Sequence, residues 1–514
     1  MIPISLSVTL INLSRFIDIN HHHQKMRYNI PLLLLFIALP VLSQNITVKL
    51  IDKNTKKPIP YANIKTGAYS GVISNDEGFF SIYAEDDTKT ITISCMGYES
   101  KTLRVADIKS LNYSIELKEA INQLSEVFIS TKAPNADSII AKVISKLADN
   151  YNYDLNAYSI FKRTTNHVDF KKLEFEIDKA SHVKKKELEK ANFSLNALVK
   201  QIKNSNMVQF SDFKGKLYSL NTDSIKIEVE KATELLDTKN DFSIENIQEK
   251  SQKIILSYLD TTKTYKLKTG LFKIEDSLAL NDEEFKDENK NEHKLSYLND
   301  DTKGLLKRSQ FYENSFLNKI LNTDWYDYTL ETIGYNNEEL TYIINFTPRK
   351  GKAKYTGKLY IADDTYAVTR IDYNYYKNRH GEKVNLKFIL GVKYISNVSE
   401  GTVIFQKDSS STYHPKYIKC TTGSYFYVSR PLKFIENSKN RSKVSFDFKI
   451  EGDNRNKQEL LITAHNKLTF LDFQAERQKE KIPITILTKY EKSVWDSEAV
   501  LEPSLEMKAF ESEE

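Results

Sequence analysis

Between Tyr328 and Ile450 apolar or aromatic residues recur largely at alternate positions through eight successive segments: YTLETI, LTYIINFT, YTGKLYIAD, YAVTRIDYNYY, VNLKFILGVKYI, TVIFQ, YIKCTTGSYFYV and KVSFDFKI. Side chains of a strand alternate between its two faces, so period-two patterning commits this stretch to half-buried β-structure and is incompatible with a helical array. The polar connections NNEE and DDT are too short for crossovers, so consecutive segments are expected to pair as an antiparallel meander. The 30 Tyr and 26 Phe suit such a surface, because flat rings pack well across neighbouring strands. A curved antiparallel sheet with helices on one face is expected over residues 302–500.

A second, finer pattern precedes it. Ile46, Val48 and Leu50 alternate with Thr47 and Lys49, PYANI follows the loop DKNTKKP, and SGVISNDEGFFSI sets Gly78 behind Asn75, Asp76 and Glu77, where a hairpin needs positive φ. Ile91, Ile93 and Cys95, then Leu103 and Val105, then Tyr113, Ile115 and Leu117 complete seven short strands, the signature of a small β-sandwich over residues 45–118. The fold class is therefore mostly β with some helices: an N-terminal seven-strand sandwich, then an α+β region.

The series PIPYANI, GVISNDEGFFSI and TITISCMGYES resembles the carboxypeptidase-regulatory-like domain, a transthyretin-like sandwich found in envelope proteins of Bacteroidota. That resemblance implies a binding or scaffolding module, since in carboxypeptidases the chemistry belongs to a separate zinc domain. GKLYIADDTYAVTRIDY is similar to a hairpin of the lipoprotein-carrier fold, which implies a concave sheet able to enclose an apolar ligand. The competing reading is that the same residues fill the core.

Residues 119–133, including INQLSEVFIS, read as a linker, and residues 134–300 as a mixed helix and strand region. Pro134 to Asp137 open a helix carrying Ile139, Ile140, Val143, Ile144 and Leu147 on one face. Leu188, Ala191, Leu195, Leu198 and Ile202 recur at helical spacing within a lysine-rich stretch that is either packed on its own domain or presented to anionic lipid. The charged run from 275 to 301 reads as a loop, residues 305–320 as helical, and 501–514 as an acidic tail.

Residues 1–43 read as a leader. The run from Ile30 to Leu42 is apolar, follows Lys25 and Arg27, and is too short to span a bilayer, so it is expected to be a signal peptide cleaved between Ser43 and Gln44, with Met26 as the translation start. No cysteine follows it to carry a lipid, and FESEE does not resemble the closing strand of an outer-membrane barrel. Removing the leader's Arg15, Lys25, Arg27 and Asp18 reduces the formal charge from +5 to about +3, too little to drive nucleic-acid binding.

Chemistry leaves few marks. Cys95 and Cys420 are expected to be free, buried core residues, and His167, His182, His293, His380, His414 and His465 form neither HExxH nor HxxE. Neither GxSxG, a P-loop, GxGxxG nor CxxC occurs. No catalytic, metal or cofactor residue is assigned. The expected role is a non-catalytic binding or structural protein of the periplasm or outer membrane, with envelope proteins or an apolar ligand as partners and peripheral contact with the membrane; the alternatives are an accessory subunit of an outer-membrane import or surface-assembly system and a hydrolase whose site leaves no motif.

Overall fold

The computed structural model describes residues 45–67, 70–83, 89–120, 134–204, 207–236, 257–260, 262–270, 272–279, 292–336, 339–495 and 500–511. The leader with its Ser43–Gln44 cleavage site and most of the 119–133 linker lie outside the described residues.

Strands β1 (Asn45–Asp52), β2 (Asn63–Lys65), β3 (Gly71–Ile73), β4 (Phe79–Tyr83), β5 (Thr90–Ser94), β6 (Lys101–Arg104) and β7 (Ser114–Leu117) form the sandwich, in two sheets ordered β4-β1-β7 and β3-β2-β5-β6. The alternation of β1 sends Val48 and Leu50 into a core shared with Ile64, Phe80, Ile93 and Ile115. Thr47, on the other face, hydrogen-bonds Ser81 at 2.8 Å. Asn75 Oδ1 accepts from the amides of Glu77 and Phe79, and Gly78 has φ +77, as the turn was expected to require. Val105 departs from expectation. It opens the short helix α1 (Val105–Ser110), where the three-residue spacing to Ile108 lets both side chains reach the core.

The rest of the chain is organised by one large sheet. Its strands are β8 (Asn156–Ala180), β9 (Val208–Ser219), β10 (Ile225–Leu235), β14 (Tyr326–Asn336), β15 (Glu339–Pro348), β16 (Tyr355–Ala362), β17 (Val368–Tyr375), β19 (Val392–Lys407), β20 (Tyr413–Glu436), β21 (Lys443–Lys467) and β23 (Thr485–Leu487). They run in the order β14-β15-β16-β17-β19-β20-β21-β8-β9-β10-β23. The hairpin β11 (Thr264–Thr269) and β12 (Phe272–Ala279) adds to β20, β18 (Lys383–Leu386) adds to β19, and β13 (Glu292–Lys294) pairs separately with β22 (Lys481–Pro483).

The boundary expected near residue 300 does not divide this sheet. β21 pairs with β8 from Val444↔Ala180 to Lys467↔Asn156, so strands far apart in sequence share one ladder. Part of the charged 275–301 stretch is likewise structured: its ends contribute β12 and the start of α4 (Leu295–Lys307), while residues 280–291 lie outside the described residues.

Helices α2 (Ala136–Asn150), α4 and α5 (Phe316–Ile320) contribute side chains to one apolar cluster with the sheet. Asn135 caps α2 by accepting from the amides of Asp137 and Ser138. Ile140, Val143, Leu306 and Leu317 meet Ile344, Leu359, Ile371 and Val403 there, so the apolar residues that suggested a ligand cavity are engaged in packing against helices. Truncating one of them to Ala costs about 2–5 kcal/mol by the usual sum of lost transfer energy and cavity.

Farther along the long strands, α3 (Lys185–Asn204) lies on β8. Leu195, Val199 and Ile202 are buried, and Asn192 accepts from the Ile177 amide at 2.8 Å while donating to its carbonyl at 3.1 Å. The lysine-rich stretch is thus a helix packed on its own domain, as one of the two readings had it.

After α7 (Phe470–Ala475) and β23 the chain returns to the sandwich, ending in α8 (Leu505–Lys508). Trp495 stands edge-on to Phe161 at 5.3 Å, and Leu501 and Met507 are buried. The expected acidic tail is therefore a docked strap through residue 511, because its apolar residues have a surface to cover.

Candidate functional site

Sandwich and sheet meet through an apolar cluster in which Tyr61 and Ile73 pack near Phe161, Tyr417, Leu461 and Leu501. A charged rim lies beside it. Tyr61 adopts φ +59, a conformation costing a tyrosine on the order of 1 kcal/mol, and its ring lies 5.7 Å from that of Tyr417. Asp76 accepts from the Tyr61 hydroxyl and from Lys419 at 2.7 Å, with Lys457 at 3.2 Å. Burial alone would raise the Asp76 carboxyl, but the ammonium groups of Lys457 and Lys419 outweigh it and hold it down at about 2.

A cleft of about 480 Å³ opens along this joint, lined by Tyr61, Asn63, Cys95, Arg370, Phe405 and Lys416 among others. Lys416 is almost fully buried and donates to the Gly71 carbonyl at 3.1 Å. No ion pair to it occurs among the described residues, and burial pushes its ammonium down to about 8.

A different chemistry is concentrated at two hairpin tips on the same edge of β20. β19 holds that edge as far as Val392↔Val428, and β11 takes it over at Thr269↔Leu432, so the β18–β19 and β11–β12 turns meet on either side of Arg430. The first turn is α6 (Lys387–Leu390), closed by Gly391 at φ +62, where a Cβ would stand 2.1 Å from the Ser429 carbonyl. Arg430 donates to the carbonyls of Ile389, at 2.7 Å, and Leu390, and its guanidinium lies 5.5 Å from the Phe272 ring.

The side chains there point away from the protein. Phe388 is 100% exposed and Ile389 70%, and Val384, Leu386, Phe272 and Ile274 on the same two hairpins are each 39–52% exposed. Lys268, Lys383, Lys387, Lys393, Arg430 and Lys433 lie on the same strands and turns, Lys387 over the Tyr427 ring and Lys393 over that of Tyr425, with Glu382 next to β18, Glu275 on β12 and Asp276 held in ion pairs by Lys266 and Lys273. Single exposed apolar residues are ordinary, but several gathered at adjoining hairpin tips are a candidate contact surface. Period-two reading of VNLKFILGVKYI took Phe388 and Ile389 as strand residues; the glycine after four residues of helical turn is the signal that was available.

Cys95 and Cys420 are both free, Cys420 buried and Cys95 half-buried. Of the histidines, His167 contacts Glu506 at 3.0 Å, His380 contacts the Gly381 carbonyl, His182 is exposed and His293 lies on β13. His414 and His465 are brought ring to ring, 4.2 Å apart, beside Asp408. No motif links them; only the register of the β20–β21 hairpin would have placed residue 414 near residue 465.

No helix among the described residues is long and apolar enough to cross a membrane, which says nothing of strands. No curated protein and no solved structure matches the chain. Residues 46–129 match the family model described as CarboxypepD_reg-like domain, so the sandwich is a carboxypeptidase-regulatory-like domain, a type that is typically non-catalytic.

Proposed function

We propose that this is a non-catalytic binding platform of the cell envelope, exported by its leader and seated on an anionic membrane surface through the Phe388–Ile389 and Phe272–Ile274 tips. The observation that carries the reading is the fully exposed Phe388 beside the exposed Ile389, on a hairpin that also carries Lys383, Lys387 and Lys393. Each apolar group that leaves water for the acyl boundary contributes about 25 cal/mol per Å², and each nearby Lys or Arg adds on the order of 1 kcal/mol over anionic lipid. The carboxypeptidase-regulatory-like sandwich is bolted to the sheet, so the platform would present it in a fixed orientation to an envelope partner.

Sedimentation of the mature chain with vesicles tests this. The chain should pellet with phosphatidylglycerol-containing vesicles and much less with pure phosphatidylcholine, and Phe388→Ser with Ile389→Ser should abolish the difference. Equal recovery of wild type and double variant, or no recovery of either, overturns the reading.

A further inference from the structure

On the inner face of the sheet, at the end of β20 and β21, Asp408, His414 and His465 each offer one donor atom, all within 4.8 Å of one another. The strands explain the meeting. β20 and β21 pair with a constant register, Ile435↔Lys443 through Tyr417↔Leu461, and the loop before β20 returns Asp408 to the same corner. Tyr158 of β8 lies 5.1 Å from the His465 ring and 6.4 Å from that of His414, so an aromatic wall backs the pair.

The hydrogen bonds fix what each atom can do. Asn156 Nδ2 donates to the Asn152 carbonyl at 3.2 Å, which turns its Oδ1 toward His465 Nε2 at 2.9 Å. His465 therefore carries its proton on Nε2, and Nδ1 holds a lone pair. That lone pair faces Asp408 Oδ2 at 3.8 Å. Asp408 Oδ1 is satisfied by the Ser410 amide, the Ser410 hydroxyl and the Thr412 amide, whereas among the described residues Oδ2 accepts only the Thr412 hydroxyl at 3.0 Å. His414 is 8% exposed, and its Nδ1 is buried without a hydrogen-bond partner. Acceptors thus face one another in a confined corner, with an orphaned ring nitrogen beside them.

An ion held between these acceptors would use the lone pairs that the surrounding hydrogen bonds leave free. We infer that Asp408, His414 and His465 bind one borderline divalent cation of the zinc type, tying β20, β21 and the 408–412 loop together. Two imidazoles and a carboxylate are a zinc-type donor set that leaves one further position, and the Asn156 carboxamide supplies the outer-sphere support usual for a ligating histidine. The His465 and Asp408 side chains are 8% and 10% exposed, so a bound ion would be largely shielded from solvent.

The mature full-length chain, stripped with chelator and then dialysed against zinc, should retain about one zinc per chain by plasma mass spectrometry. Zinc should raise its thermal midpoint, and cobalt(II) should give the intense visible bands of a low-coordinate nitrogen and oxygen site. His465→Ala should lose metal, midpoint shift and bands together. His414→Asn removes the ligand while keeping a polar side chain at the site, so it reads out the same loss if His465→Ala does not fold. Failure of folded wild type to retain zinc, or equal zinc in wild type and His414→Asn, overturns the assignment.

Discussion

Arg163 grips Asp212 across β8 and β9, Nη2 to Oδ2 at 2.6 Å and Nε to Oδ1 at 2.8 Å, with both side chains buried. The third arm of the guanidinium donates to the Leu501 carbonyl at 3.2 Å, so one residue holds the sheet and the strap. A bidentate pair out of water is costly to break, because removing one partner strands the other charge. Asp212→Ala is expected to lower unfolding free energy by roughly 3–5 kcal/mol, whereas replacing both residues with apolar ones of similar volume should cost far less. Urea titrations of the single and double variants check this; equal losses in both would place the effect in packing.

The Asp76 rim has a pH signature. Its folded value of about 2 lies below the ordinary 3.8, so the stability it contributes is complete above about pH 4 and is lost as pH falls through about 2. Asp76→Asn should therefore weaken the protein at pH 7 and flatten its acid unfolding between pH 4 and 2. High salt should shrink the difference, since the rim is partly solvated. Thermal melts across that range decide it, and an unchanged acid slope in the variant would refute the role given to Asp76.

Lys416 behaves in the opposite sense. Its folded value of about 8 lies below the ordinary 10.5, so the unfolded chain binds the extra proton in between and stability should rise with pH through that window. Lys416→Met should stabilise the protein at pH 7, by on the order of 1–3 kcal/mol, and should remove that rise. A destabilised Met variant would show that the ammonium is worth more to its Gly71 contact than its desolvation costs.

What the sequence disclosed follows from the range over which each interaction acts. Period two is local, so β14 to β17 and the sandwich strands were legible, as were the α2 opening at Asn135 and the positive φ of Gly78. The β8–β21 ladder joins residues more than 260 positions apart, and nothing local in NAYSIFKRTTNH names RNKQELLITAHNK as its neighbour. Asp408, His414 and His465 suffered the same fate, since their proximity depends on the register of two strands and on where a loop lands. FESEE misled for a related reason. Its charges are visible in sequence, but the Phe210 ring that receives Phe510 at 6.0 Å is not.

Gly78 offers the last check because its demand was readable before any contact was known. At φ +77 a Cβ would stand 2.6 Å from the Leu50 carbonyl and 3.1 Å from the Ile59 amide nitrogen, both backbone atoms. The Leu50 amide also donates to the Gly78 carbonyl at 2.8 Å, so the turn cannot slide away from β1 without giving up that bond. Gly78→Ala combines a disfavoured backbone conformation with a collision against fixed atoms, and should cost well over 1 kcal/mol. The neighbouring Asn75, Glu77 and Ser81 reach the strap and Asp76 the sheet, so loss of the turn should also raise amide exchange around Glu502 and Leu505. If exchange there stays at the wild-type level while the sandwich loosens, the strap owes its order to the sheet alone.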